Sequence, residues 1–160
     1  MSDPSQFRTP ESQANDSLEP RRRPILLVED DPVDQEMIGL AFKRASVANR
    51  VITMSNGQEA LDYLMAAWRE SILPKVIILD LNMPQIDGFE FLRRIKAEPR
   101  FAVIPVVVLT TSQFDRDLTQ SYALGASSCL TKPGDFEQLV KMAAEVDQYW
   151  CRRNRIPEIT

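Results

Sequence analysis

Val76-Ile77-Ile78-Leu79-Asp80-Leu81-Asn82-Met83-Pro84-Gln85-Ile86-Asp87-Gly88 is the stretch from which the rest of the chain can be read. Four apolar residues, three of them β-branched, run directly into a carboxylate. A short apolar run of this kind reads as a strand buried on both faces. Asp80 then falls at its C-terminal end, and in an open parallel sheet ligands bind in the crevice beyond those ends. Met83-Pro84 is expected to end the strand, because proline lacks a ladder donor and restricts the residue before it. Asp87-Gly88 makes a turn that opens a helix. Taken alone, Asp80 also fits a helix N-cap or a solvated loop acid.

Working outward, the same pattern recurs. Pro24-Ile25-Leu26-Leu27-Val28-Glu29-Asp30-Asp31-Pro32 is a second apolar strand that delivers carboxylates. Asp31 can cap a helix with Pro32 at its first position. Val33, Met37, Ile38, Ala41, Phe42 and Ala45 follow at helical spacing. Val51–Met54 is a short strand, and Asn56-Gly57-Gln58-Glu59 resembles a capping box. Ala60, Leu61, Leu64, Met65 and Trp68 then share one helical face, with Trp68 as core or helix cover. Downstream of the opening stretch, a helix carrying Phe89, Phe91, Leu92 and Ile95 ends before Pro99. Ile104–Leu109 is the next strand, with Thr110-Thr111-Ser112 at its end. A helix through Leu118, Tyr122 and Leu124 stops at Gly125. Ser128-Cys129-Leu130-Thr131 is a strand ending at Lys132-Pro133. A last helix from Asp135 carries Leu139, Met142, Ala143, Val146, Tyr149 and Trp150 on one face. Strict β–α alternation implies an α/β fold: a parallel sheet with right-handed crossovers and helices on both faces.

Composition narrows the chemistry. A chain of 160 residues has room for one domain and a tail. Residues 1–23 are rich in Ser, Pro, Gln, Asp and Arg and read as a disordered tail, with Arg21-Arg22-Arg23 as a solvated flank. The domain is expected over 24–150, with 151–160 as a C-terminal extension. A net charge of −4 argues against a domain built to hold nucleic acid. No run spans a bilayer and the N-terminus is polar, so a cytoplasmic protein with no membrane partner is expected. Cys129 falls at the end of a strand and Cys151 at the far end of the helix that follows, about 17 residues and roughly 25 Å long, so they should not meet. The chain has no histidine, which removes histidine bases, Ser-His triads and histidine metal ligands.

Placing every strand's C-terminal end along one edge of the sheet gathers Glu29, Asp30, Asp80, Thr110 and Lys132. Three clustered carboxylates repel unless a cation sits among them. Oxygen ligands without sulfur or nitrogen select Mg²⁺ or Mn²⁺. A hydroxyl and an ammonium facing the same spot can hold phosphoryl oxygens, and the central carboxylate can act as nucleophile. Singly, each residue has an ordinary explanation as a solvated acid, a strand end or a surface turn. Five of them at strand ends in this order do not.

These residues resemble the receiver domain of two-component response regulators. The resemblance runs from about Arg23 to Trp150. It is carried by Val28-Glu29-Asp30, Asp80-x-x-Met83-Pro84-x-x-Asp87-Gly88, Leu109-Thr110-Thr111 and Lys132-Pro133. It implies a flavodoxin-like fold with strand order 2-1-3-4-5. It also implies that Asp80 accepts phosphate from the phosphohistidine of a sensor histidine kinase, as a stoichiometric acceptor rather than an enzyme. The metal would be held by Asp30 and Asp80 side chains, by Glu29 through water, and by the Asn82 backbone carbonyl. Thr110 and Lys132 would bind the phosphoryl group, and the Lys132–Pro133 peptide would be cis.

The sequence departs from the family at two points. Where the family usually places Tyr or Phe three residues before the lysine, as a switch ring, this chain has Cys129. No DNA-binding or enzymatic domain follows Trp150, so output is expected from the receiver surface itself. Thr110-Thr111-Ser112-Gln113 and Tyr149-Trp150 look like the single-domain regulators paired with phytochrome-type kinases. A homodimer through the fourth helix, fifth strand and last helix is expected, with Tyr149-Trp150 and Arg152, Arg153 and Arg155 at the contact. Three rivals compete with this reading. A receiver that no longer takes phosphate would be a pure binding module. A haloacid dehalogenase-type phosphatase needs a second acid where Asn82 stands. A flavin carrier needs a phosphate loop where Glu29-Asp30-Asp31 would repel the flavin phosphate.

Overall fold

The computed structural model describes residues 22–83 and 86–158. Its strands are β1 (Ile25–Val28), β2 (Val51–Met54), β3 (Val76–Leu79), β4 (Val106–Thr110) and β5 (Ser128–Thr131). They form one parallel sheet in the order 2-1-3-4-5, as the resemblance implies. Each helix follows a strand: α1 (Pro32–Arg44), α2 (Gly57–Arg69), α3 (Gly88–Ala97), α4 (Asp115–Ala123) and α5 (Phe136–Val146).

The central strands are apolar on both faces because both faces are covered. Leu26, Val28, Ile77, Leu79, Val106 and Val108 pack with α2 and α3 on one side. Ile25, Leu27, Val76, Ile78, Val107 and Leu109 pack with α1 and α5 on the other. Register follows: Leu26 pairs with Ile77, and Ile77 with Val106. A one-residue slip would exchange the two faces wholesale. Trp68 is partly buried against the α2–α3 side, as helix cover.

The caps hold the strand ends in place. Asp31 accepts from the N–H groups of Val33 and Asp34 (2.8 and 3.2 Å), with Pro32 first in α1. Asp87 accepts from Glu90 N–H (2.8 Å) and opens α3. Each such cap contributes about 1 kcal/mol. Gly88 follows because a Cβ there would lie 2.5 Å from Leu81 Cα and 2.6 Å from Asp80 O. Asn56 accepts from Glu59 N–H (2.8 Å), but Glu59 reaches back to Ser55 N–H (3.0 Å), so the box closes one residue upstream of the expected position.

Three expectations change. β3 ends at Leu79, not at Met83-Pro84, of which Pro84 lies outside the described residues. The chain leaves the sheet early because Asn82 N–H turns back to Asp80 Oδ1 (3.2 Å). Of the tail expected to be disordered, 1–21 lies outside the described residues, but Arg23 is no solvated flank. Its guanidinium donates to the carbonyls of Leu73 (2.7 Å) and Pro74 (3.2 Å), and Asn49 holds its own carbonyl (2.8 Å). Beyond α5 the chain widens into a π-helical turn, Asp147–Arg153, so helical structure passes the expected boundary at 150. Both cysteines are free thiols.

Candidate functional site

Each candidate residue is delivered by a strand end. Glu29 follows β1 directly, its N–H still pairing with Met54 O (3.1 Å). Asp80 follows β3, and its N–H donates to Val28 O (3.0 Å), which keeps the two acids side by side. One carboxylate oxygen from each of Glu29, Asp30 and Asp80 lies within 4.8 Å of the others. Glu29 is 1% exposed and Asp80 6%.

Buried acids this close cannot all ionise without compensation. Burial pushes Glu29 up to about 7, helped by the charge of Asp80 and opposed by the Lys132 hydrogen bond. Burial also raises Asp80, against the hydrogen bond from Asn82 N–H. A hard cation with oxygen ligands would supply the missing charge. The donor set fits Mg²⁺ or Mn²⁺, since the cluster offers neither sulfur nor imidazole.

Lys132 lies at the end of β5, and its N–H donates to Thr110 O (2.8 Å), tying the two phosphoryl-binding candidates together. Its Nζ donates to Glu29 Oε2 (3.0 Å) and to Asp34 Oδ2 (2.9 Å). Burial alone would lower the lysine pKa, but the Asp34 and Glu29 carboxylates outweigh it and hold it above the ordinary value. The Lys132–Pro133 peptide is trans, against the implied cis bond. Trans is the intrinsically favoured isomer of an X–Pro bond.

Asp34 is the site residue that the sequence did not reveal. It stands in the first turn of α1, where an acid is favoured by the helix dipole alone. That ordinary explanation hid its second role against a lysine 98 residues away. Thr110 is nearly buried, and its Oγ1 accepts from Ser112 N–H (3.0 Å). Asn82 is exposed at the rim. Cys129 is half-buried on β5, and its N–H donates to the hydroxyl of Tyr122 on α4 (3.3 Å).

The response regulator receiver domain model matches residues 25–144. The chain belongs to the response regulator receiver family. It is 36% identical to the response regulator Rcp1 of Synechocystis over 135 residues, covering 83% of this chain and 92% of Rcp1. It is 42% identical to a probable methanogenesis regulatory protein, FilR2, of Methanothrix harundinacea, covering 83% and 86%. The crystal structure of the phosphorylated cyanobacterial phytochrome response regulator RcpA superimposes with a TM-score of 0.77 at 34% identity, covering 86% of this chain and 99% of that one. The Mn²⁺-bound structure of Rcp1 gives 0.74 at 35%, covering 84% and 99%.

Membership answers the rivals that are enzymes or flavin carriers. Receivers are signalling modules that interact with sensor histidine kinases, and phosphorylation on aspartate is general to the family. Among the described residues, no helix of this receiver is long and apolar enough to cross a membrane.

Proposed function

We propose that this receiver takes a phosphoryl group on Asp80 and signals through its own surface. The observation that carries the reading is the gathering of Glu29, Asp30 and Asp80 within 4.8 Å at a sheet edge that also presents Thr110 and Lys132. A carboxylate oxygen of Asp80 attacks the phosphorus of a kinase phosphohistidine. The P–N bond breaks as the P–O bond forms, and the imidazole nitrogen leaves with the electron pair and takes up a proton. Asp30 and Asp80 side chains, Glu29 through water, and the Asn82 backbone carbonyl would hold Mg²⁺, or Mn²⁺ as in the Rcp1 structure. When bound, the cation supplies positive charge against the phosphoryl oxygens. Lys132 turns from Asp34 to those oxygens, and the Thr110 hydroxyl donates to another. Stabilising equatorial charge is most of what phosphoryl transfer requires. In this way the receiver assists its own phosphorylation and dephosphorylation without being a turnover enzyme.

Incubation with acetyl phosphate and Mg²⁺ tests the acceptor. Wild type should gain one phosphoryl group by intact mass, and Asp80→Asn none; equal labelling would overturn the assignment.

The likeness to RcpA supports a phytochrome-type kinase as donor. A kinase that draws phosphate from ATP places the reaction in the cytoplasm. Phosphotransfer profiling against the sensor kinases of the source organism checks the pairing. The reading also keeps a homodimer through α4, β5 and α5. Tyr149 is 52% exposed and meets Trp150 edge-on, with ring centroids 4.7 Å apart. Trp150 itself is partly buried against its own core, so Tyr149 and the arginines beyond carry more of the contact than the sequence suggests. Sedimentation of wild type and Tyr149→Ala, with and without beryllofluoride, should show a dimer lost in the variant. A monomer throughout would leave partner binding as the output.

A further inference from the structure

Lys132 holds two carboxylates of very unequal burial. Its Nζ donates to Glu29 Oε2 (3.0 Å) and to Asp34 Oδ2 (2.9 Å). The Glu29 side chain is 2% exposed and that of Asp34 39%. Among the described residues these are the partners of the ammonium, and Asp80 is not one of them. The backbones on either side are pinned. Lys132 N–H donates to Thr110 O (2.8 Å), and Asp34 N–H donates to Asp31 Oδ1 (3.2 Å) in the first turn of α1. A change of partner is therefore made by the flexible four-carbon stem of the lysine.

The two bonds differ in what it costs to break them. Releasing Glu29 strands a buried carboxylate, which then bears its desolvation penalty. Releasing Asp34 returns a carboxylate to water at the rim, where an ion pair contributes little net. An ammonium that moves toward Asp80 therefore gives up Asp34 and keeps Glu29. Phosphoryl oxygens are charged acceptors like those of a carboxylate, so both draw on the same few N–H donors.

We infer that Asp34 is a positioning residue that competes with the phosphoryl group for Lys132 and so sets how readily Asp80 keeps phosphate. The inference rests on the phosphoacceptor reading of Asp80. Asp34 acts through the lysine and touches neither the phosphoryl group nor the three clustered acids. The apparent affinity of the site for a phosphoryl group falls with the fraction of molecules whose lysine is held at the rim. Removing Asp34 should then tighten the site for phosphoryl oxygens while leaving the cation site nearly as it was.

Beryllofluoride, which stands in for the phosphoryl group, is titrated in saturating Mg²⁺ with bound fluoride followed by ¹⁹F NMR. Asp34→Asn should bind it about threefold more tightly than wild type, in line with the modest worth of a partly exposed ion pair. Asp31→Asn is the control. Asp31 is exposed beside the same turn, and its carboxylate accepts from the N–H groups of Val33 and Asp34 rather than from Lys132. Asparagine caps a helix about as well as aspartate, so the control loses the charge and keeps the cap. Its affinity should stay within about 1.5-fold of wild type, because water and salt screen an exposed charge. No tightening in Asp34→Asn overturns the inference. Equal or greater tightening in Asp31→Asn overturns it too, since plain charge repulsion would then account for the effect. Either result leaves the acceptor site standing, because fluoride is bound. Wild type that binds no fluoride overturns the acceptor reading and this inference with it.

Discussion

The two ends of the sheet treat charge in opposite ways. At the amino end, cations are spent on backbone carbonyls. Arg23 staples Leu73 and Pro74, and Lys96 Nζ bonds the carbonyls of Ala102 (3.0 Å) and Ile104 (2.7 Å). Basic residues in the last turns of α1, α2 and α3 complement the helix dipoles there. At the carboxyl end, Asp31, Asp87 and Asp135 cap helices in the same complementary way. Glu29, Asp30 and Asp80 do not: they crowd together, with Lys132 shared among Glu29 and Asp34 as the nearby cation. One end is satisfied by the protein itself. The other is left short of positive charge, as expected where function overrides local stability.

The largest effect should come from supplying that charge. Mg²⁺ at a hundredfold excess over its dissociation constant should stabilise wild type by about 2.7 kcal/mol, the linkage value for a ligand of the native state. Asp30→Ala should lose most of this, by thermal melts in EDTA and in Mg²⁺. Equal responses would mean the cation sits elsewhere.

Charge removal should then have opposite signs at the two ends. Arg23→Met strands two carbonyls and should destabilise by about 1–3 kcal/mol in urea titrations. Asp80→Asn relieves repulsion and should raise the stability of the metal-free protein. Matching signs would break the comparison.

A smaller effect is expected from pH. Glu29 has an ordinary value of 4.5 and is pushed up to about 7 in the fold. The folded state therefore holds a proton that the unfolded chain releases. In EDTA this contribution is fully present below about pH 4.5 and is lost as pH rises through about 7. Melting temperature should fall from pH 5 to pH 8, and Mg²⁺ should flatten the trend because it holds the ionised form. A metal-free melting temperature that rises over this range would contradict the assignment.

The smallest effect is at the rim. Asp34→Asn removes one of the two carboxylates that hold Lys132, so the lysine pKa should fall, as followed by NMR of its ε-amine. Mg²⁺ affinity should change by no more than about twofold. An unchanged lysine would show that Glu29 alone sets its position.

Much of this was legible in the sequence, for a local reason. Apolar runs ending in carboxylates at 25–30 and 76–80, and caps such as Asp31-Pro32 and Asp87-Gly88, are satisfied within a few residues of themselves. They specified five strands, five helices and the edge on which the candidate residues stand. The misreadings were tertiary. Met83-Pro84 marked a strand end, but β3 already ends at Leu79, just before Asn82 N–H turns back to Asp80. Arg23 looked like a solvated flank because the carbonyls it holds are 50 and 51 residues away. Asp34 looked like an ordinary first-turn acid. Cys129 announced a missing ring, but the cavity of about 240 Å³ that it lines together with Thr110 and Phe114 depends on how α4 rests on the sheet edge. Periodicity and capping are properties of neighbours in sequence, so the chain determines them alone. The partner of a charge and the shape of a void depend on which distant surfaces meet, and only the folded structure decides those.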